Sequence, residues 1–244
     1  MIPNKLNLGC GKYMEKVIPY KKYKEENKLF RKTFKILKGQ GLKRLVLDGI
    51  DFVWHYIIPR KKFVYGGKVY KSFVHWYNPT WRGDREVEIP IILDLIKEYK
   101  NKNILEVGNV LQWYTPIHHE VVDKYEIAGG VINQDIINFK PKKKYDLIIS
   151  ISTLEHVGYE EEEKDGGKAI TAIKHLSELL NKNGLLFFTI PLGYNLILDK
   201  FVLNHPKIHK KIMTKINNIW VQIPIEEYTK NKRGFCLFGY LIKN

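Results

Sequence analysis

The sequence predicts an α/β fold, a mostly parallel sheet with helices on both faces, and three observations predict it. From residue 87 onward short apolar runs alternate with helical or loop segments: "NILEVG", "HEVVDKY", "AGGVINQDI", "YDLIISIS" and "LLFFTIP". Two of these, "YDLIISIS" and "LLFFTIP", are apolar almost throughout, as strands buried on both faces are. The helical segments carry apolar residues at helical spacing, so each can cover one face of such a sheet.

The elements follow in order. Residues 1–86 read as an amino-terminal extension and residues 87–244 as the core domain. In the extension, "YKEENKLFRKTFKILKG" sets Tyr23, Leu29, Phe30, Phe34 and Leu37 near helical spacing and ends at Gly39, a helix with a glycine stop. "KFVYGGKVYKSF" is two aromatic and β-branched runs around Gly66 and Gly67, which predicts a hairpin. "HWYNPTWRGDREVEIP" is dense in aromatics and charges, with Pro79 and Gly83, and reads as a loop or arm. In the core, "VEIPIILDLIKEYK" predicts a helix. "VLQWYTPIHHE" is short and interrupted by Pro116, so any helix after the first core strand is abbreviated. "DGGKAITAIKHLSELLNKNG" puts Ile170, Ile173, Leu176 and Leu180 on one helical face and stops at Gly184. The tail holds two β-rich runs around "TKNKRG", a link short enough for antiparallel pairing.

Composition sets the outer limits. A chain of 244 residues can bury a sizeable core without disulfides or metals. Cys10 and Cys236 are its two cysteines, and a reduced, cytoplasmic setting is expected. The start lacks the basic lead and long apolar stretch of a signal peptide, and "GLLFFTIPLGYNLIL" is broken by Pro191, Gly193 and Asn195, so no transmembrane segment is expected. Lys+Arg 41 against Asp+Glu 26 gives a formal +15, which admits a nucleic-acid partner. The excess is mostly lysine scattered among asparagine and isoleucine, a pattern of AT-rich coding, whereas phosphate-reading surfaces favour arginine. Nucleic acid is therefore not indicated. His118 and His119 point to opposite faces of a strand, and His205 and His209, if on one helical face, lack an acid or cysteine to complete a site. No metal is expected.

Two stretches, "NKLNLGCGKY" and "NKNILEVGNV", each offer a glycine turn after aliphatic residues. In an open parallel sheet a ligand sits outside the carboxyl ends of the strands, and the next strand should end in an acid that can hold ribose hydroxyls. After "LNLGCG" the only candidate strand contains Pro19 and ends in Lys21 and Lys22. After "ILEVGN" come "VVD", ending in Asp123, and "VINQD", ending in Asp135. The second turn has the sheet context, although Val110 and Gln112 stand where further glycines would let a backbone approach a pyrophosphate. A nicotinamide dinucleotide is disfavoured.

With Glu106 and Gly108 in "ILEVGNV", Asp123 in "VVDKYE", Asp135 in "NQDI", and the segments "YDLIISISTLEHVG" and "LNKNGLLFFTIP", residues from about 87 to 200 resemble the class I S-adenosylmethionine-dependent methyltransferases. The resemblance implies a Rossmann-like sheet of seven strands, the last antiparallel. It implies that Glu106, Gly108 and Asn109 hold the methionine end of S-adenosylmethionine and that Asp123 holds its ribose. Asp135 then caps the adenine amino group, with Ile136 beside the ring. Ser150, Ser152 and Glu155 lie near the carboxyl end of the central strand, Ser150 being counted with the cofactor residues. His156 is the best-placed histidine for general base work, or else it caps and packs. Tyr77, Trp81, Arg82 and Arg85 either fold over the pocket, holding a substrate anion or ring, or pack on the sheet edge.

The function expected is methyl transfer from S-adenosylmethionine to an oxygen, nitrogen or carbon nucleophile on a small molecule or sugar. Two alternatives stand beside it: an RNA methyltransferase, from the +15 charge, and a non-catalytic binding protein of the same fold, from the missing glycines.

Overall fold

The computed structural model describes residues 41–57, 60–228 and 234–243. The expected helix over Tyr23–Leu37, the "LNLGCG" stretch with Cys10, and most of the "TKNKRG" link lie outside them. Helix α1 spans Gly41–Ile57. Strands β1 (Lys62–Tyr65) and β2 (Lys68–Lys71) form the expected hairpin, with Gly66 and Gly67 at φ 58° and 84°, the left-handed conformation a two-residue turn demands.

Helix α2 (Arg85–Glu98) leads into the sheet strands β3 (Ile104–Val107), β4 (Glu120–Val122), β5 (Val131–Ile132) and β6 (Tyr145–Ile151). Helix α3 (Lys168–Glu178), β7 (Leu180–Pro191), α4 (Leu196–Asn204), β8 (His209–Ile216), β9 (Ile219–Ile223) and β10 (Phe235–Ile242) complete the described chain. Among the described residues the main sheet has the order β5-β4-β3-β6-β7-β10-β8-β9. Pairing is parallel from β5 through β7 and antiparallel from β7 through β9. The order reverses between β3 and β6, the switch point at which sheets of this Rossmann-like type bind ligands.

The sheet separates two cores. On one face Leu105, Ile148 and Phe188 meet Ala172, Ile173 and Leu176 of α3 and Leu198 and Val202 of α4. On the other, Ile149, Ile151 and Phe238 meet Val87 and Ile91 of α2 together with Phe63 and Tyr65 of the hairpin. Strand β6 feeds both, and all its residues except the half-buried Asp146 are buried. That double burial explains why its run is apolar almost throughout.

Four expectations are corrected. The sheet has eight strands, not seven. The segment Asn181–Gly184 does not end a helix: α3 stops at Glu178, and Leu180–Gly184 already belongs to β7, held by Asn183 N donating to Lys243 O and Lys243 N to Gly184 O. The two tail runs, β9 and β10, do not pair; β8 lies between them, joined to β9 by a turn at Asn217 and Asn218, both left-handed (φ 49° and 60°). His205 caps α4 while His209 begins β8, so the two share no helix. The abbreviated helix after β3 is borne out, as a single 3-10 turn over Leu111–Trp113.

Gly239 of β10 faces the Phe188 ring, and a Cβ there would lie 2.6 Å from Cε2. Gly239→Ala is expected to lower stability by about 1–3 kcal/mol through overpacking. The measurement is the urea midpoint at unchanged slope; an unmoved midpoint would show that the ring yields freely.

Candidate active site

Helix α2 starts at the carboxyl ends of the strands, and its first turn is held there by buried charge. Glu88 is fully buried; its Oε1 accepts from Ser152 Oγ (2.5 Å) and Thr189 Oγ1 (2.6 Å), and its Oε2 from Arg85 Nη1 (2.5 Å). Arg85 Nη2 also donates to Ile151 O (3.3 Å). Burial alone would lower the pKa of Arg85, but the Glu88 carboxylate beside it prevails and keeps the guanidinium charged. Two residues before Glu88, Glu86 Oε2 accepts from Lys215 Nζ (2.6 Å) and Trp220 Nε1 (2.9 Å), which ties α2 to β8 and β9. Pro90 has no N–H to offer the Glu86 carbonyl four residues back, and that carbonyl accepts from Phe73 N instead (2.9 Å). A proline inside the helix thus provides the attachment point for the arm.

The arm runs over residues 72–84. Thr80 Oγ1 donates to Phe73 O (2.7 Å) and accepts from His75 N (2.8 Å), closing a loop within it. Tyr77 stacks on Trp113 at 4.1 Å and 8°, so the arm lies over the turn that follows β3. Trp81 Nε1 and Arg82 both donate to Asp51 Oδ2 of α1. Of the four residues expected to hold a substrate anion or ring, Arg82 and Arg85 are engaged by carboxylates and Tyr77 by Trp113.

The turn after β3 is built from within. Gly108 is left-handed (φ 84°), and its N–H donates to Val122 O (2.8 Å). A Cβ on it would lie 2.6 Å from Thr153 Cγ2, so Thr153 occupies the space that makes glycine necessary. Glu106, fully buried, accepts at Oε1 from Val110 N (2.9 Å) and Leu111 N (2.8 Å), and its Oε2 pairs with His119 Nε2 (2.8 Å). Asp123 at the end of β4 accepts at Oδ2 from Asn109 N (2.9 Å) and at Oδ1 from Tyr125 N and Glu126 N. Glu106, Gly108, Asn109 and Asp123 therefore meet, as the sequence proposed, but largely to shape the turn.

Asp135 lies at the next strand end. Its Oδ2 faces Lys168 Nζ (2.9 Å) and Lys124 Nζ (3.0 Å), and both lysines also reach Glu161. Burial works against the Asp135 charge, but Lys168 and Lys124 hold its pKa below the usual carboxylate range. Ile136 is buried in the α3-side core. Ser150 is fully buried and donates to Val107 O (3.2 Å), a link between β6 and β3.

A cleft of about 490 Å³ opens between the arm and the ends of β6 and β7; Pro79, Asp84, Ser152, Glu155 and Tyr194 are among its walls. His156 stands at its rim, edge-on to Tyr194, with Nδ1 2.9 Å from Glu160 Oε1. Glu155 is 1% exposed, and burial pushes its pKa well up. Asp84 is pushed up to about 7, by burial first and then by Glu88. An apolar groove of about 500 Å³ along α4 lies away from these groups. Sequence reasoning missed Glu88 and Asp84. The signal for Glu88 was an acid flanked by aliphatic residues in "REVEIPII", which a helix must turn toward the core; Asp84, between Gly83 and Arg85, had none.

No family model matches the sequence, and no curated protein matches it. Solved structures are similar to it at low identity. An rRNA methylase from Streptococcus thermophilus is 11% identical, covering 64% of this chain and 96% of its own, with a TM-score of 0.42. The N-methyltransferase NodS from Bradyrhizobium japonicum, in complex with S-adenosyl-L-homocysteine, is 16% identical, covering 68% and 91%, with a TM-score of 0.40. A S-adenosylmethionine-dependent methyltransferase from Thermotoga maritima is 14% identical, covering 69% and 95%, with a TM-score of 0.42. The fold assignment stands on this molecule's own strand order.

Two outcomes are expected. Gly108→Ala should destabilise the protein by roughly 2–4 kcal/mol, from left-handed strain and the clash with Thr153, and Thr153→Ala should restore part of that loss. Denaturant melts of the two single variants and the double variant measure the coupling, and strict additivity would exclude it. The second concerns pH. A carboxyl whose folded pKa is raised stabilises fully below its unfolded value and loses that contribution as pH rises through the folded one. Asp84→Asn should therefore gain stability over the parent as pH rises from 5 to 8, with a slope of at most about 1.4 kcal/mol per pH unit that flattens above about 7. A gap that is constant with pH would contradict the raised pKa.

Proposed function

We propose that this protein is a S-adenosylmethionine-dependent methyltransferase whose acceptor, a small molecule or sugar, enters the cleft beneath the arm. The observation that carries the reading is the site at the sheet's switch point, where a left-handed glycine turn after β3 sits beside an acid at the end of β4. The residues present fit the cofactor. Among the described residues Asp123 Oδ2 receives one hydrogen bond, leaving a lone pair for a ribose hydroxyl. The first N–H groups of the 3-10 turn are already taken by Glu106, which suits a ligand that brings no phosphate to that point.

When bound, S-adenosylmethionine supplies a methyl group already activated on sulfonium. The tasks left to the chain are placement, exclusion of water and removal of a proton. The arm and α2 wall the cleft on one side, and the turn over Leu154–His156 walls it on the other. His156, at the rim, is placed to pass a proton to solvent. The cleft volume suits a small acceptor.

Calorimetry with S-adenosylhomocysteine tests the cofactor. Gly108→Arg should abolish binding, Asp123→Asn should weaken it about tenfold, and Cys10→Ala and Gly11→Ala should leave it intact. Absence of heat at millimolar ligand would sink the proposal. Equal loss in the Gly108 and Gly11 variants would assign the cofactor to the other turn. Binding without turnover on any acceptor would favour the non-catalytic alternative.

A further inference from the structure

We propose that the acceptor is an amine, held and deprotonated by the buried Glu155 carboxylate. The proposal rests on the methyl-transfer reading for the reaction and on the cleft alone for the binding.

The cations of the cleft are already committed. Arg85 serves Glu88 and Ile151 O, and Arg82 serves Asp51 of α1. The carboxylates are in excess. Glu155 lines the cleft at 1% exposure, and among the described residues no other residue donates a hydrogen bond to either of its oxygens. The nearest basic nitrogen, His156 Nε2, lies 3.5 Å from Oε1. Asp84, on the facing wall, occupies the cap position of α2 without a capping side-chain bond. A buried carboxyl with no donor is costly unless a ligand completes it. An ammonium supplies the missing charge together with several N–H donors. A hydroxyl brings one donor and no charge, and a carboxylate or phosphate would face acids.

The same group can do the chemistry. Glu155 and Asp84 both hold protons more tightly than an exposed carboxyl does, and they share the cleft with Arg85 and Glu88 of α2, Arg82 of the arm, His156 after β6, and Tyr194 after β7, while Glu160 stands against His156 and Tyr194. The Glu155 carboxylate takes one proton from R–NH3+ and frees the nitrogen lone pair. That pair forms the new N–C bond to the sulfonium methyl as the C–S bond breaks, its electrons remaining on sulfur. The products are R–NH2+–CH3 and S-adenosylhomocysteine, and the proton on Glu155 leaves to solvent past His156.

The test uses the full chain and a matched panel: 2-phenylethylamine, putrescine and glucosamine, each beside its hydroxyl and carboxylate counterpart. Binding is read by calorimetry with and without S-adenosylhomocysteine, and turnover by transfer of a tritiated methyl group. At least one amine should bind and be methylated while its counterparts are not. Glu155→Gln should weaken amine binding by about tenfold or more and leave S-adenosylhomocysteine binding unchanged, with a thermal melt to confirm folding. Asp84→Asn, on the facing wall, should weaken amine binding less. The amine proposal is overturned if hydroxyl or carboxylate members bind as well as the amines, if Glu155→Gln binds amines like the parent, or if the protein binds S-adenosylhomocysteine but no amine. Loss of S-adenosylhomocysteine binding in the parent overturns the methyl-transfer reading instead, and amine binding without it is scored separately.

Discussion

The arrangement of the cleft depends on one carboxylate taken out of water. Glu88 sits on the first turns of α2, fully buried, and its oxygens are satisfied by Arg85 beside it, Ser152 just after β6 and Thr189 within β7, with the Cys236 thiol of β10 at 3.7 Å from Oε1. Desolvating a charge costs several kcal/mol, so such a group tolerates one geometry in which every partner is present. That requirement fixes where α2 begins relative to the ends of two strands. The arm inherits its position, because the Pro90-freed carbonyl of Glu86 is what Phe73 binds. Cleft, arm and helix are thus set by a few polar contacts laid over an apolar frame.

The acids that motif reasoning picks out do a second kind of work. Glu106 accepts the leading N–H groups of the turn after β3, as a side-chain cap or an anionic ligand does at a helix start. Asp123 joins that turn to the next strand end through Asn109 N. Asp135, Lys124, Lys168 and Glu161 form a four-charge cluster across the outer strand ends. A site poor in glycine is therefore rich in internal links, and Val110 and Gln112 are accommodated because the turn shapes itself around Glu106 and Thr153.

Much of this was legible beforehand, for identifiable reasons. Strands β6 and β7 are buried on both faces, and the hairpin is signalled by Gly66 and Gly67 between β-prone runs. Strand β8 was not legible: "HKKIMTKI" mixes half-buried lysines with Ile212 and Met213, and its only local sign is the Asn217-Asn218 turn that follows. The end of α3 was misplaced because "LNKNG" has the grammar of a helix stop, whereas Leu180 pairs with Tyr145 of β6 and draws the segment into the sheet. The buried pairing of Glu88 with Thr189 joins residues 101 positions apart, and local periodicity holds no record of such a partner.

Strand β10 stands between β7 and β8, although both β8 and β9 precede it in the chain. During synthesis the β8–β9 hairpin is made before the strand that attaches it to the sheet. Until β10 emerges, the hairpin has no strand partner there, and β7 keeps an open edge of unpaired backbone groups. Cys236 and Phe238, which line the core beneath the cleft, arrive in the same step. The order of translation thus delays the floor of the site, leaving a nascent chain with an exposed edge that a chaperone or a like strand can occupy first.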